Sequence, residues 1–170
     1  GGHDQRVVQR PRLGRVHDRG DDGGGAVEVG DPVLAALLLG KSAQAAERGV
    51  TLTVRGVVQA DHLDVASREL VTLTGNLIDN AIEAAVAASG AEGPLVEVEI
   101  AHDDDGAAIL SVADSGPGIE ASVRERIFQR GASTKYSDTV GGHGVGLALV
   151  SEIVHRHRGA IEVIDDGGTA

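Results

Sequence analysis

The chain has no cysteine, and Phe128 and Tyr136 are its only aromatic residues. Without thiols it forms no disulfide and no thiolate metal site, which fits a reducing compartment. Without aromatics, its core has to be assembled from Val, Leu, Ile and Ala. Excess positive charge is also missing: the formal net charge is −11, which argues against nucleic acid held by a general basic field. No apolar run reaches the roughly 18 residues a membrane-spanning helix needs. The first residues carry Arg and Gly without the apolar stretch of a signal peptide. Hydrophobic residues still make up 41% of the 170, enough for the core of one domain and short of two. The chain therefore reads as a soluble, cytoplasmic domain.

Residues 1–28 stand apart from the rest. Arg, Gly and Asp dominate, and no helical or strand period survives, so the segment reads as a flexible or aberrant arm. Regular structure is expected from residue 29 onward. Asp31 suits a helix cap, Pro32 a first turn and Gly49 a stop, so "GDPVLAALLLGKSAQAAERG" predicts a helix. "VTLTV" (50–54) alternates like a strand, and a long helix should follow, capped by Asp64 or Ser67 and ending near Ala88. "PLVEVEIA" and "AAILSVAD" alternate apolar and polar residues around a turn at Asp105-Gly106, which predicts a hairpin. Residues 115–144 are polar and glycine-rich, with at most one short helix, a long stretch of the kind that is functional or disordered. "VGLALVSEIVHRHRG" predicts a helix and "AIEVIDD" a strand. After that strand the sequence reads as truncated before one more. Helices should cover one face of a mixed, mainly antiparallel sheet, an α+β fold of two layers.

Three short stretches carry chemistry. In "LTGNLIDNAIEAA" (73–85), Leu73, Leu77, Ile78, Ala81 and Ala85 form an apolar face. Asn76 and Asn80 lie one turn apart on another stripe, although Asn is a poor helix former. Neutral amide oxygens suit Mg²⁺ shared with substrate phosphates, while two solvated or locally capping amides are the plain alternative. "VADSGPGIE" (112–120) leaves a strand and turns at once. Gly116 and Gly118 let backbone approach a ligand, and Asp114 could accept from an exocyclic amine, although such a stretch is often only a turn. "GGHGVGLALV" (141–150) sets Gly142, Gly144 and Gly146 directly before a helix, whose N-terminus suits phosphate. It is neither a P-loop nor a dinucleotide fingerprint.

In that order, the three motifs resemble the ATP-binding catalytic domain of sensor histidine kinases in the GHKL superfamily. "RERIFQRGASTK" (124–135) looks like that family's phenylalanine box, with Phe128, Gly131, Ser133, Thr134 and Lys135. "DPVLAALLLGKSAQAAERGV" followed by "GNLIDNAIEAA" is similar in particular to the citrate- and dicarboxylate-sensing group. The resemblance covers about residues 29–170 and implies the Bergerat fold with ATP and Mg²⁺ as cofactors. It implies that Asn80 holds the metal with Asn76 beside it, and that Asp114 binds the adenine amine. Gly116, Gly118 and Ile119 would shape the adenine pocket. Residues 119–142 would form a lid that brings Phe128, Ser133, Thr134 and Lys135 to the nucleotide, with Lys135 near the phosphates. Gly142, His143, Gly144, Val145, Gly146 and Leu147 would close over them.

Hydrolysing members of the superfamily, and its anti-sigma-factor serine kinases, carry Glu where this chain has Asn76. An amide cannot act as a general base, a role worth about 10²–10⁴-fold in rate. Asn76 therefore favours transfer of the γ-phosphoryl group to a histidine over an ATPase or serine-kinase reaction. A non-catalytic nucleotide-binding module is the remaining alternative. The implied partners are a histidine-bearing dimerisation domain and a response regulator, with no nucleic acid and no direct membrane contact. The parent would be an inner-membrane sensor. His3 and His17 lack the apolar heptads of a dimerising hairpin and are not assigned as acceptors. His155 and His157 read as solvated residues at a helix end, and His102 with Asp103–Asp105 as an exposed turn.

Overall fold

The computed structural model describes residues 7–15, 31–56, 65–87, 93–102, 107–119 and 146–165. In chain order the elements are β1 (Val7–Arg15), α1 (Pro32–Glu47), β2 (Thr51–Gly56) and α2 (Ser67–Ala87). There follow β3 (Leu95–His102), β4 (Ala107–Asp114), α3 (Gly146–Arg156) and β5 (Ile161–Asp165). The strands form one sheet in the order β2-β3-β4-β1-β5. Only β2 and β3 pair in parallel, and every other neighbour is antiparallel. This is the mixed, mainly antiparallel sheet with a helical layer that the element order predicts. In that layer α2 lies between α1 and α3 and packs on β3 and β4.

Each helix end has a local cause. The Asp31 carboxylate accepts from the backbone N–H groups of Val33 (2.8 Å) and Leu34 (3.0 Å), which caps α1 ahead of Pro32. Hydrogen bonds from Ser67 and from those amides hold its carboxyl below the usual range, so one side chain joins the starts of α1 and α2. α1 stops where Gly49 takes the left-handed conformation (φ +73°) and Val50 N–H donates back to the Ala45 carbonyl. α3 ends the same way on Arg158, a non-glycine residue at φ +55°, with Gly159 N–H donating to Val154.

The core is aliphatic, as the shortage of aromatics requires. Leu70, Leu73, Leu77, Ile78 and Ile82 of α2 meet Val96 and Val98 of β3 and Leu110 and Val112 of β4, all fully buried. Burial of an aliphatic side chain of this size contributes about 1.5–3 kcal/mol. β3 alternates buried Val96, Val98 and Ile100 with the less buried Glu97 and Glu99, the period of a sheet with one covered face.

The expectation of an unstructured arm through residue 28 is corrected at Val7–Arg15. That stretch is β1, inside the sheet, paired antiparallel with β4 on one side and β5 on the other. Its sequence, VVQRPRLGR, gave no strand signal because its few apolar residues are scattered among Gln, Arg and Gly without a clean alternation. The sequence even argues against it: Pro11 has no N–H to donate, and the register with β4 shifts between Leu13 and Arg15. The Asp105-Gly106 turn, Asp64 and the loop from residue 120 to 145 lie outside the described residues.

Candidate functional site

Asn76, Asn80 and Ala84 stand at i, i+4 and i+8 on α2, so they form one stripe about 12 Å long. A glycine presses on each end of it. A Cβ on Gly146, the first residue of α3, would sit 2.5 Å from Asn76 Oδ1. A Cβ on Gly116 would sit 2.8 Å from the Ala84 Cβ and 2.9 Å from the Ala84 carbonyl carbon. The two glycine motifs, thirty residues apart in sequence, are therefore brought to opposite ends of the two-asparagine stripe. Asn80 lies between them. It is half-buried, and its carboxamide has no hydrogen-bond partner among the described residues. Asn76 is oriented: its Nδ2 donates to the Thr72 carbonyl at 2.7 Å, which leaves Oδ1 facing Gly146.

Asp114 marks the Gly116 end. It is the last residue of β4 on the helix-facing side, following Ala108, Leu110 and Val112 and opposite Val96. An acid thus stands at a core position and is only 4% exposed. Burial pushes its carboxyl up to about 6, against the opposing pull of the Gly116 N–H, which donates to Oδ1 at 2.8 Å. A buried carboxylate of this kind gains from a further donor. Gly118, at φ +80°, takes the left-handed region that favours glycine. Ser115 closes the end of the strand pair, its N–H donating to the Leu95 carbonyl and its Oγ accepting from Leu95 N–H.

Ion pairs fix α2 against its neighbours. Lys41 of α1 donates to Asp79, the residue beside Asn80, at 2.5 Å. Near the start of α2, Glu69 receives Arg156 at 2.5 Å and the His157 Nε2 at 2.9 Å. The hydrogen bond from His157 and the contact with Arg156 hold the Glu69 carboxyl below its usual range, although burial opposes them. The reading of His157 as solvated is thereby corrected: its side chain is 19% exposed and bound to Glu69. His155 is exposed, as expected. None of these pairs was visible in the sequence, because partners 38 to 88 positions apart leave no local periodicity.

The remaining candidates divide by location. Ile119 is half-buried beside Gly118, and Leu147 packs against the core at the start of α3. Phe128, Ser133, Thr134, Lys135, Gly142, His143, Gly144 and Val145 lie outside the described residues. Among the described residues, no three His, Asp or Glu side chains cluster as a metal site. Neutral amide oxygens on this stripe, together with water and ligand oxygens, are a donor set that suits Mg²⁺. The described helices include none long and apolar enough to cross a membrane.

The profile of the family described as "Histidine kinase-, DNA gyrase B-, and HSP90-like ATPase" matches residues 65–170. The chain is 40% identical over 132 residues to a probable C4-dicarboxylate sensor kinase of Halalkalibacterium halodurans, covering 76% of this chain and 24% of that protein. It is 36% identical over 138 residues to the sensor histidine kinase DpiB of Escherichia coli K12, covering 80% of this chain and 24% of that protein. The chain thus spans about a quarter of the length of these relatives. Among solved structures, full-length ShkA in complex with AMPPNP superposes with a TM-score of 0.55 at 28% identity, covering 71% of this chain and 24% of that one.

Proposed function

The chain belongs to the histidine kinase-, DNA gyrase B- and HSP90-like ATPase family, and on that premise we propose that it binds ATP with Mg²⁺ and supplies the γ-phosphoryl group to a histidine. That histidine belongs to a dimerisation domain of a two-component sensor, which then phosphorylates a response regulator. The relatives' names, a sensor histidine kinase and a C4-dicarboxylate sensor kinase, support the sensor-kinase branch and its dicarboxylate-sensing group. By the same analogy the domain works in the cytoplasm beneath an inner-membrane sensor.

One observation carries the reading: the α2 stripe ends at a buried acid and a close-packed glycine on one side, and at a helix N-terminus on the other. A nucleotide laid along it meets different chemistry at its two ends. Asp114 accepts from the adenine exocyclic amine, and the Gly116–Gly118 backbone closes on the ring. Asn80 ligates the metal, and the positive end of α3 at Gly146 faces the phosphates. Bound Mg²⁺ would supply charge neutralisation across the phosphate oxygens.

Asn76 separates transfer from hydrolysis. Its amide donates to Thr72 and has no useful basicity, so no residue at this position deprotonates water. An incoming imidazole nitrogen needs no such base, since it is already a neutral nucleophile at cellular pH. Catalysis then depends on positioning and charge stabilisation. Lys135, Ser133 and Thr134 are assigned to the lid near the phosphates, with Phe128, while Gly142, His143, Gly144 and Val145 are assigned to closing over the phosphates from the start of α3.

Titration of the chain with a fluorescent ATP analogue, with and without Mg²⁺, tests binding. Phosphotransfer from radiolabelled ATP to a histidine-bearing hairpin of a relative, added in trans, tests the reaction. Tight Mg²⁺-dependent binding with labelled histidine supports the proposal. Binding without transfer would leave a nucleotide-sensing module, and rapid phosphate release would restore the ATPase alternative.

A further inference from the structure

We propose that Glu69 is a positioning residue for the phosphate end of the nucleotide site, acting through α3 at a distance. The inference rests on the nucleotide reading above and adds a residue that none of its motifs contains. α3 runs back along α2, with Gly146 beside Asn76 and Arg156 beside Glu69. Its two ends are held in different ways. At the far end both Glu69 oxygens are engaged, Oε1 by Arg156 Nη1 at 2.5 Å and Oε2 by His157 Nε2 at 2.9 Å. The Glu69 side chain is 13% exposed, and the turn beneath it is fixed by Arg158 and Gly159 N–H groups donating to the His155 and Val154 carbonyls. At the near end, Gly146 lies close to Asn76, Leu147 packs against the core, and Ala148 and Val150 are buried.

α3 is packed on its apolar side along its length, and the Glu69 clasp adds the polar contacts that set the angle at which its C-terminal end meets α2. Ten residues separate Gly146 from Arg156, about 15 Å, so a tilt of a few degrees at the clasp moves Gly146 by about 1 Å. Displacements of about 1 Å at a reacting group are costly. The charged groups around the clasp are Glu69 and Arg68 on α2, and Glu152, His155, Arg156 and His157 at the end of α3. Of these, the pair of Glu152 with Arg156 at 3.2 Å lies within α3 itself.

The test compares wild type with Glu69→Gln, His157→Gln and Glu152→Gln in the whole chain. Affinities for an ATP analogue and for adenosine, which lacks phosphates, are measured with amide hydrogen exchange of the nucleotide-free protein at Val150 and Ser151. These two amides close the first turn of α3. The expected result is that Glu69→Gln weakens ATP binding about ten-fold with adenosine binding unchanged, and that exchange at Val150 and Ser151 quickens. His157→Gln should act in the same direction and Glu152→Gln should do neither. A charge swap, Glu69→Arg with Arg156→Glu, should restore part of the ATP affinity. Equal loss of ATP and adenosine binding would assign Glu69 a merely structural role and overturn the inference, as would unchanged exchange and affinity. If Glu69→Gln fails to fold, His157→Gln decides by the same readouts. A wild-type chain that binds neither ligand would overturn the nucleotide reading itself, an outcome distinct from a variant that matches wild type.

Discussion

Asn76 Oδ1 lies 2.5 Å from the point where residue 146 would carry a Cβ. A side chain on this first residue of α3 would therefore press on the Asn76 amide of α2. Gly146→Ala must displace either the oriented Asn76 amide or the first turn of α3. Overpacking of this kind costs about 1–3 kcal/mol. ATP affinity should fall more than adenosine affinity, because the disturbance lies at the phosphate end. Gly116→Ala should do the opposite, since its Cβ would meet the Ala84 backbone and the Asp114 carboxylate. Isothermal titration of both variants with both ligands checks the contrast, and identical profiles would contradict the assignment of ends.

Asn80→Ala should leave the fold intact and remove the dependence of nucleotide affinity on Mg²⁺. The side chain is half-buried and makes no hydrogen bond to a described residue, so its loss exposes no unpaired group. Thermal melts without ligand should match wild type to within about 0.5 kcal/mol, as for a surface substitution. A variant whose ATP affinity still rises on adding Mg²⁺ would take the metal away from Asn80.

Much of this was legible in the sequence because its causes are local. The apolar face of α2, the Asp31-Pro32 start and Gly49 stop of α1, and the alternation of β3 and β4 are written within a few residues of each other. The three motifs could be listed, and the family resemblance supplied their meeting. What α2 adds is its stripe: the i, i+4, i+8 spacing of Asn76, Asn80 and Ala84 sets the distance between the two glycine contacts. Two things were illegible. β1 gave no signal because its scattered apolar residues do not alternate cleanly, and Pro11 has no N–H to donate. The Glu69 and Lys41 pairs were hidden because charged residues on helices usually face water, and nothing local distinguishes those that meet a partner.

Thr74→Val should stabilise the protein. Thr74 is fully buried on α2, and its Oγ1 has no hydrogen-bond partner among the described residues, so the hydroxyl is desolvated without return. Valine keeps the branched shape and removes the polar atom. The expected gain is about 1 kcal/mol, read as a higher denaturant midpoint with unchanged slope. A loss of stability would mean that the hydroxyl has a partner after all.

Asp114 couples stability and ligand affinity to pH in opposite senses. Burial pushes its carboxyl up to about 6 in the folded chain from an ordinary value of 3.8, so the folded state holds the proton more tightly than the unfolded one. Between those values the native state binds more protons, and the stability of the ligand-free protein therefore falls as pH rises toward about 6 and levels above it. Adenine recognition needs the charged acceptor, so adenosine affinity should weaken as pH falls below about 6. Adenosine is the informative ligand, because its phosphates are absent and cannot titrate in the same range. Asp114→Asn should flatten the stability profile while keeping an acceptor for the Gly116 N–H. At neutral pH it should raise ligand-free stability by about 1–3 kcal/mol, the cost of the buried charge. Asp114→Ala should abolish the preference for ATP over GTP, since the exocyclic amine then has no acceptor. Adenosine binding that stays level across this range in the wild type, or an Asp114→Ala variant that still prefers ATP, would remove Asp114 from the site.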